Sequence, residues 1–151
     1  MNVRSSTFTH GGDLPQSMVF NGAGHSGKNR SPHLEWTDVP EGTRSFAIVM
    51  HDPDAPTSGG FYHWVLFNIP GNVRELREGH SEGAAGHTDY GLNEYGGAAP
   101  PPGPPHRYNI TVYALDVDKL PLQRTTTGAM LEFTIKEHTL AQATITGRYG
   151  K

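Results

Sequence analysis

Three short apolar segments dominate the hydrophobic pattern of the chain. They cover Phe46–Met50, Tyr62–Ile69 and Tyr108–Leu115. Each is rich in β-branched or aromatic residues and is bounded by proline or glycine, which is typical of strands with at least one buried face. The first segment is apolar at successive positions, so both faces of this strand should be buried. We therefore expect it at the centre of a sheet.

Shorter patterns predict further strands. In the third segment apolar residues alternate with more polar ones, which gives that strand one drier side. The same alternation marks a last strand in AQATITGRYG, residues 141–150. Additional short strands are expected near Thr7, Val19 and Leu34.

One helix and one long loop complete the pattern. Helical spacing of apolar residues predicts a short helix over Thr127–Thr139. Its shared side would carry Met130, Leu131, Ile135 and His138. Residues 79–105 show no usable periodicity, and a loop of this length in a compact domain is more often functional than idle. The chain is therefore predicted to be one mostly β domain over residues 1–151, with few short helices.

Composition narrows the class of protein. The 19 glycines, 12 prolines and hydrophobic fraction of 34% favour a loop-rich β fold. Twelve Lys and Arg against 15 Asp and Glu give a net charge of −3 without a basic run, which argues against nucleic acid as a partner. The absence of cysteine excludes disulfides and thiolate chemistry. No signal-like or membrane-length apolar segment occurs, so we expect a soluble, cytoplasmic protein without stable membrane insertion.

A glycine-rich segment resembles nucleotide-binding motifs but lacks their context. Gly22–Lys28, GAGHSGK, fits GxGxxG and most of the phosphate-loop pattern. Asn29 stands where that pattern needs a magnesium-binding Ser or Thr, and Pro32 follows too closely for the required helix. We interpret the segment as a glycine-rich turn.

Other catalytic signatures are missing. There is no GxSxG elbow and no HExxH pair. His51, His63 and His106 could still converge on a metal ion from separate strands. No spacing supports that alternative, so no metal or other cofactor is predicted.

Polar residues at the ends of the predicted strands point to a pocket. HDPDAP puts Asp52 and Asp54 after the buried strand, where its prolines would fix the turn. His63 and His106 each stand where a strand meets a loop, and residues 100–103, PPPG, would form a stiff wall. The alternative is that both histidines are core residues bonded to the backbone.

The strings that carry these residues resemble a known family. NRSPHLEW, DPDAP, HWVLFN and GGAAPPPGPPHRY are similar to motifs of the phosphatidylethanolamine-binding protein family, in particular its bacterial Raf kinase inhibitor-like branch. The resemblance runs from STFTHGGDLP to GRYGK and so covers nearly the whole chain.

The resemblance implies a fold of two packed antiparallel β-sheets and a small pocket for phosphate-like or carboxylate-like groups. It also implies a cis bond between Ala55 and Pro56, and relatives suggest a homodimer. Carried over by motif position, the ligand-binding residues would be Asp52, Ala55, Pro56, His63, Pro100, Pro101, His106 and Tyr108.

Two departures from the longer eukaryotic members affect what carries over. GRYGK stands where an additional helix borders the pocket in those proteins, so a wider pocket mouth is expected here. The segment Glu78–Gly97 does not align with them. Their partner surfaces, and kinase inhibition with them, therefore do not transfer.

These considerations favour a small binding protein that is not an enzyme. An anion would accept hydrogen bonds from His63, His106 and Tyr108, while Asp52 orients a histidine. Affinity is then expected to rise as the pH falls. Two alternatives stay open, namely a module that binds a phosphorylated or acidic partner protein, and a weak hydrolase using Asp52 with His63 or His106 but without an evident nucleophile.

Overall fold

The computed structural model describes residues 1–151 and contains eight strands, one α-helix and one 3₁₀ turn at Gln16–Met18. The strands and helix are β1 (Asn2–Arg4), β2 (Leu34–Thr37), β3 (Ser45–Asp52), β4 (Phe61–Pro70), β5 (Glu75–Leu76), β6 (Ala84–Ala85), β7 (His106–Leu115), α1 (Gly128–Ile135) and β8 (Thr139–Tyr149). They form two antiparallel sheets with the orders β1-β2-β5 and β6-β4-β3-β7-β8. The expected mostly β fold of two sheets is confirmed.

Strand β3 lies at the centre of the larger sheet, as its apolar sequence predicts. Its neighbours are β4 and β7, and Ser45 to Met50 are all buried. Phe46, Ile48 and Met50 face the core between the two sheets, whereas Ala47 and Val49 face the core under α1. Successive side chains of a strand point to opposite faces, so two cores require an uninterrupted apolar run.

The short predicted strands are only partly correct. Leu34 begins β2, but Thr7 lies in a bend and Val19 makes a single bridge to Ala98. The expected strand near Thr7 instead forms earlier, at β1. Alternation over two or three residues is too short to place a strand, because tertiary pairing decides it.

Helix α1 is shorter than predicted and uses a narrower face. Thr127 caps its N-terminus by accepting from the backbone of Met130. Leu131 and Ile135 are buried, whereas Met130 is 53% exposed and His138 lies beyond the helix. The prediction that all four share one buried side is therefore wrong. Residues four apart share a helix face, and Met130 is turned away from that stripe.

The long loop between β5 and β7 is packed against the rest of the protein. Its short strand β6 pairs with β4, and residues Tyr95 to Ala98 are buried. The backbone contains no cis peptide bond, so the expected cis bond between Ala55 and Pro56 is wrong. No helix follows Gly22–Lys28, in agreement with its interpretation as a turn. None of the helical segments has the length and apolar character needed to span a membrane.

Candidate ligand-binding site

A cavity of about 400 Å³ opens where β3 ends and where β4 and β7 begin. All eight residues predicted from the motifs lie in its walls, namely Asp52, Ala55, Pro56, His63, Pro100, Pro101, His106 and Tyr108. Pro102, from the predicted PPPG wall, also lines it. Six further lining residues were not predicted, namely Ala23, Thr57, Phe61, Tyr90, Ala99 and Lys151. The fold thus brings the motifs together, while their role in binding stays a prediction.

A buried carboxylate fixes the ring of His106. Asp52 is 3% exposed, and its Oδ2 accepts a hydrogen bond of 2.7 Å from Nδ1 of His106. Its other oxygen accepts from the backbone nitrogen of Asp54 at 2.8 Å, which ties the carboxylate to the turn. A carboxylate can only accept, so Nδ1 carries a proton and Nε2 is the nitrogen left for the cavity. The expected orienting role of Asp52 therefore has a direct geometric basis.

His63 is fixed in a different way, by two backbone carbonyl groups. Its Nδ1 donates to the oxygens of Gly96 at 2.9 Å and Gly97 at 3.1 Å. The ring is 3% exposed and has aromatic neighbours on several sides, with Tyr108 at 5.3 Å and Tyr90 at 5.5 Å between ring centroids. Burial lowers the pKa of His63 to about 4, so the ring is neutral near pH 7.

The neutral state of His63 changes its predicted role. Because Nδ1 is the donor, Nε2 bears a lone pair and accepts. His63 was expected to donate to an anion, and near neutral pH this geometry does not allow that. An affinity that rises with falling pH would therefore have to come from another group.

Tyr108 lines the cavity and carries a buried hydroxyl group without a hydrogen-bond partner. Its side chain is 1% exposed, and its oxygen has no hydrogen-bond partner in the protein. Burial, with the carboxylate of Asp52 as a smaller contribution, raises the pKa of this phenol, so it remains a donor. A buried polar group without a partner is uncommon in folded proteins and calls for an explanation such as a ligand.

Exchanging Tyr108 for phenylalanine tests whether its hydroxyl lacks a hydrogen-bond partner in the protein without ligand. Tyr108→Phe removes a buried hydroxyl without a partner, so we expect the free energy of unfolding to rise by about 1 kcal/mol in phosphate-free buffer. Tyr95→Phe is the matched control, because the hydroxyl of Tyr95 donates to the carbonyl of Met18 at 2.7 Å. That variant should lose about 1 kcal/mol. Urea unfolding measures both, and equal losses would contradict the unsatisfied state of Tyr108.

His51, the third histidine of the possible metal site, lies outside the cavity. His51 packs on Tyr62 with 4.5 Å between ring centroids, and its Nε2 lies 2.7 Å from the carbonyl oxygen of Gly59. It follows Met50 and precedes Asp52 in β3, so its side chain faces away from that of Asp52. His51, His63 and His106 therefore do not form a metal site.

His33, Glu35 and Glu75 are spaced like metal ligands, but their hydrogen bonds account for this arrangement. Ligand atoms of His33, Glu35 and Glu75 lie within 4.8 Å of one another. However, Nδ1 of His33 accepts from the backbone of Ser6 at 2.9 Å, so its Nε2 carries the proton and donates to Glu75 at 2.7 Å. A protonated nitrogen has no lone pair for a metal ion.

Asp54 and Arg107 form an ion pair beside the cavity and bond to each other. Asp54 accepts from Arg107 through the backbone nitrogen at 2.8 Å, Nε at 3.0 Å and Nη2 at 2.9 Å. These bonds lower the pKa of Asp54 to about 2. Neither residue lines the cavity, where Lys151 is the only lysine or arginine. Its ammonium group donates to the carbonyl of Gly24 at 2.8 Å.

Two of the unpredicted wall residues are aromatic. Phe61 stands two positions before His63 in β4, and strand periodicity could have placed both on one face. Tyr90 comes from the long loop, where no periodic signal exists. It stacks on Phe20 at 4.1 Å and donates its hydroxyl to the carbonyl of Gly97 at 2.7 Å. Tyr90 thus supports the same carbonyl that holds His63.

Comparison with known proteins agrees with this fold. The family model described as phosphatidylethanolamine-binding protein matches residues 4–150, and the chain belongs to that family. It is 43% identical over 157 residues to the UPF0098 protein YbhB of Escherichia coli K12, covering 99% of both chains. It is 41% identical to the UPF0098 protein YbcL of the same organism, covering 97% of this chain and 86% of the relative.

Solved structures give the same result. The crystal structure of E. coli YbcL, described as a new member of the mammalian PEBP family, superposes with a TM-score of 0.96 at 38% identity, covering 99% of this chain and 98% of that one. A putative phosphatidylethanolamine-binding protein homologue from Chlamydia trachomatis gives 0.87 at 31% identity, covering 99% and 97%. The family resemblance of the motifs is thereby confirmed over the whole chain.

Proposed function

We propose that this protein binds a small anionic ligand, a phosphate or the phosphate of a head group, in the cavity and performs no chemistry on it. The observation that carries the proposal is the convergence of three polar groups without protein partners. Nε2 of His63, Nε2 of His106 and the hydroxyl of Tyr108 all belong to residues of one cavity wall. A few convergent polar groups in a largely apolar pocket are typical of small-molecule sites.

Charge and size support an anion of limited size. The imidazole of His106 is held in position by the carboxylate of Asp52, which leaves its Nε2 for the ligand. Lys151 adds a cationic side chain to the wall. The volume of about 400 Å³ suits a head group rather than a lipid with its acyl chains. A carboxylate ligand would use the same donors.

The same geometry argues against the hydrolase alternative. Asp52 already uses both oxygens, one for His106 and one for the backbone of Asp54. Ser31, the serine that the sequence offered as a nucleophile, does not line this cavity, and the raised pKa of Tyr108 makes its phenol a poor nucleophile. The cavity therefore offers no activated side chain for covalent hydrolysis, and a dyad of Asp52 and a histidine could act on water alone.

A phosphorylated partner protein is less well supported than a small ligand. Recognition of phosphorylated side chains usually relies on arginine clusters. The arginine beside the cavity, Arg107, is held by Asp54 through three hydrogen bonds. A partner protein would therefore find one lysine and two histidines rather than a guanidinium group.

Isothermal titration with inorganic phosphate and phosphoethanolamine tests the proposal. At about pH 5.5 phosphate carries a proton that Nε2 of His63 can accept. Hydrogen bonds to charged groups contribute about 1.5–3 kcal/mol each, so at this pH His63→Ala and His106→Ala should each weaken binding at least about tenfold. His138→Ala is the control, since His138 is bonded to Asp116 outside the cavity. Binding lost only in the first two variants would support the proposal. A wild-type protein that binds neither probe would refute it.

A further inference from the structure

We propose that the cavity selects a phosphate group that carries its own proton, and therefore prefers a phosphate monoester or inorganic phosphate to a phosphodiester. This inference rests on the proposed function, because it concerns the chemical class of ligand in the same cavity. It follows from the hydrogen-bonding character of each polar atom in the wall.

The first step is the fixed proton of His63. A neutral imidazole donates from one nitrogen and accepts at the other. Since Nδ1 faces the oxygens of Gly96 and Gly97, which can only accept, the acceptor is Nε2. Reversing the tautomer would turn a lone pair of Nδ1 toward two carbonyl oxygens and remove the hydrogen bonds to both.

The two carbonyl groups cannot easily move away. The backbone nitrogen of Gly96 donates to the carbonyl of His63 at 2.9 Å, and the nitrogen of Gly97 donates to Oδ1 of Asn29 at 2.6 Å. The oxygen of Gly97 also accepts from Tyr90. His63 is thus held by a backbone segment that is itself bonded on three sides.

A second proton on His63 would require a large change in its surroundings. The titratable groups that face the ring are Asp52, Asp89, Tyr90, Tyr108, His106 and Lys151. Burial of the ring opposes its charged form more strongly than Asp52 and Asp89 favour it, and the pKa is lowered accordingly. A ligand therefore meets an acceptor at this position.

Other residues of the cavity wall supply donors. Lys151 brings an ammonium group to the wall, and an ammonium group can only donate. The hydroxyl of Tyr108 has no partner in the protein and can donate as well. The wall therefore offers donors together with the fixed acceptor Nε2 of His63.

A protonated phosphate monoester matches that set of groups. Its second ionisation has a pKa of about 6, so near that pH it presents a P–OH group beside anionic oxygens. The P–OH can donate to Nε2 of His63 while the anionic oxygens accept from Tyr108 and Lys151. A phosphodiester has no such proton and would place an oxygen lone pair against the lone pair of His63.

Titration with two matched probes tests the selection. Phosphoethanolamine is a monoester and glycerophosphoethanolamine is a diester with the same ammonium group. At about pH 5.5 we expect the monoester to bind at least about tenfold more tightly than the diester. The monoester gains a hydrogen bond to Nε2 of His63, whereas the diester places an oxygen lone pair against that atom. At about pH 8 the monoester loses its proton and this ratio should shrink. Vesicles of phosphatidylethanolamine, which is a diester, should bind no better than the free diester.

A variant identifies the atom responsible. In His63→Leu the side chain has no acceptor to present to the cavity, so the ratio between the two probes should fall toward one. Inorganic phosphate should follow the monoester in both proteins. Equal affinity of the wild type for both probes, or tighter diester binding, would overturn the selection but leave the proposed function standing. Absence of binding by all three probes would overturn both.

Discussion

Lowering the pH from about 6.5 to about 4 should remove up to about 3 kcal/mol of unfolding free energy through His63 alone. In the unfolded chain a histidine has a pKa of about 6.5, whereas burial lowers the pKa of His63 to about 4 in the folded protein. The unfolded state therefore takes up a proton first. The contribution of His63 is fully present above about pH 6.5 and is lost as the pH falls toward the folded value.

Urea unfolding of the wild type and His63→Asn over this range measures the effect. The asparagine amide can still donate to the carbonyls of Gly96 and Gly97, but it does not titrate. The variant should be less stable than the wild type at about pH 7, and the difference should narrow with falling pH. His80→Asn removes an exposed imidazole outside the cavity and serves as the control. A constant difference between wild type and His63→Asn would mean that the folded protein does not keep this ring neutral.

Much of the larger sheet could be predicted because its strands are long runs of apolar residues. The predicted segments at Phe46–Met50, Tyr62–Ile69 and Tyr108–Leu115 all lie within β3, β4 and β7. These strands are long and apolar, so burial alone identifies them. The buried face of α1 was less predictable. In so short a helix a single exposed apolar residue, Met130, is enough to shift the predicted apolar face.

The candidate site was predictable in its membership but not in its chemistry. Motifs placed Asp52, His63 and His106 in one cavity, and the sequence suggested a carboxylate that orients a histidine. No sequence pattern indicates which nitrogen of His63 bears the proton. That property depends on Gly96 and Gly97, which lie in the loop without periodicity.

The same loop explains why glycine is needed there. A Cβ atom added to Gly97 would lie 2.2 Å from the carbonyl oxygen of Met18 and 2.7 Å from the nitrogen of Phe20. The two backbone segments approach each other at this point, where the nitrogen of Phe20 donates to the carbonyl of Ala98 at 2.9 Å. Gly97 has no positive φ, so the requirement is close approach rather than backbone conformation.

Gly97→Ala should therefore lower the free energy of unfolding by about 3 kcal/mol, at the upper end of what overpacking costs. Separation of the two segments would also displace the carbonyl that accepts from His63, so phosphate affinity should fall in the folded fraction. Chemical unfolding followed by phosphate titration measures both effects.

Gly59→Ala separates crowding from backbone strain. Gly59 has a φ of 79° and no atom within 4 Å of an added Cβ, so alanine there should cost about 1 kcal/mol through its conformation alone. Because Gly59 does not line the cavity, phosphate affinity should be retained. If Gly97→Ala destabilised no more than Gly59→Ala, the approach of the loop to Met18 and Phe20 would not be a rigid contact. Its carbonyl could then shift, and His63 would not be held in one tautomer.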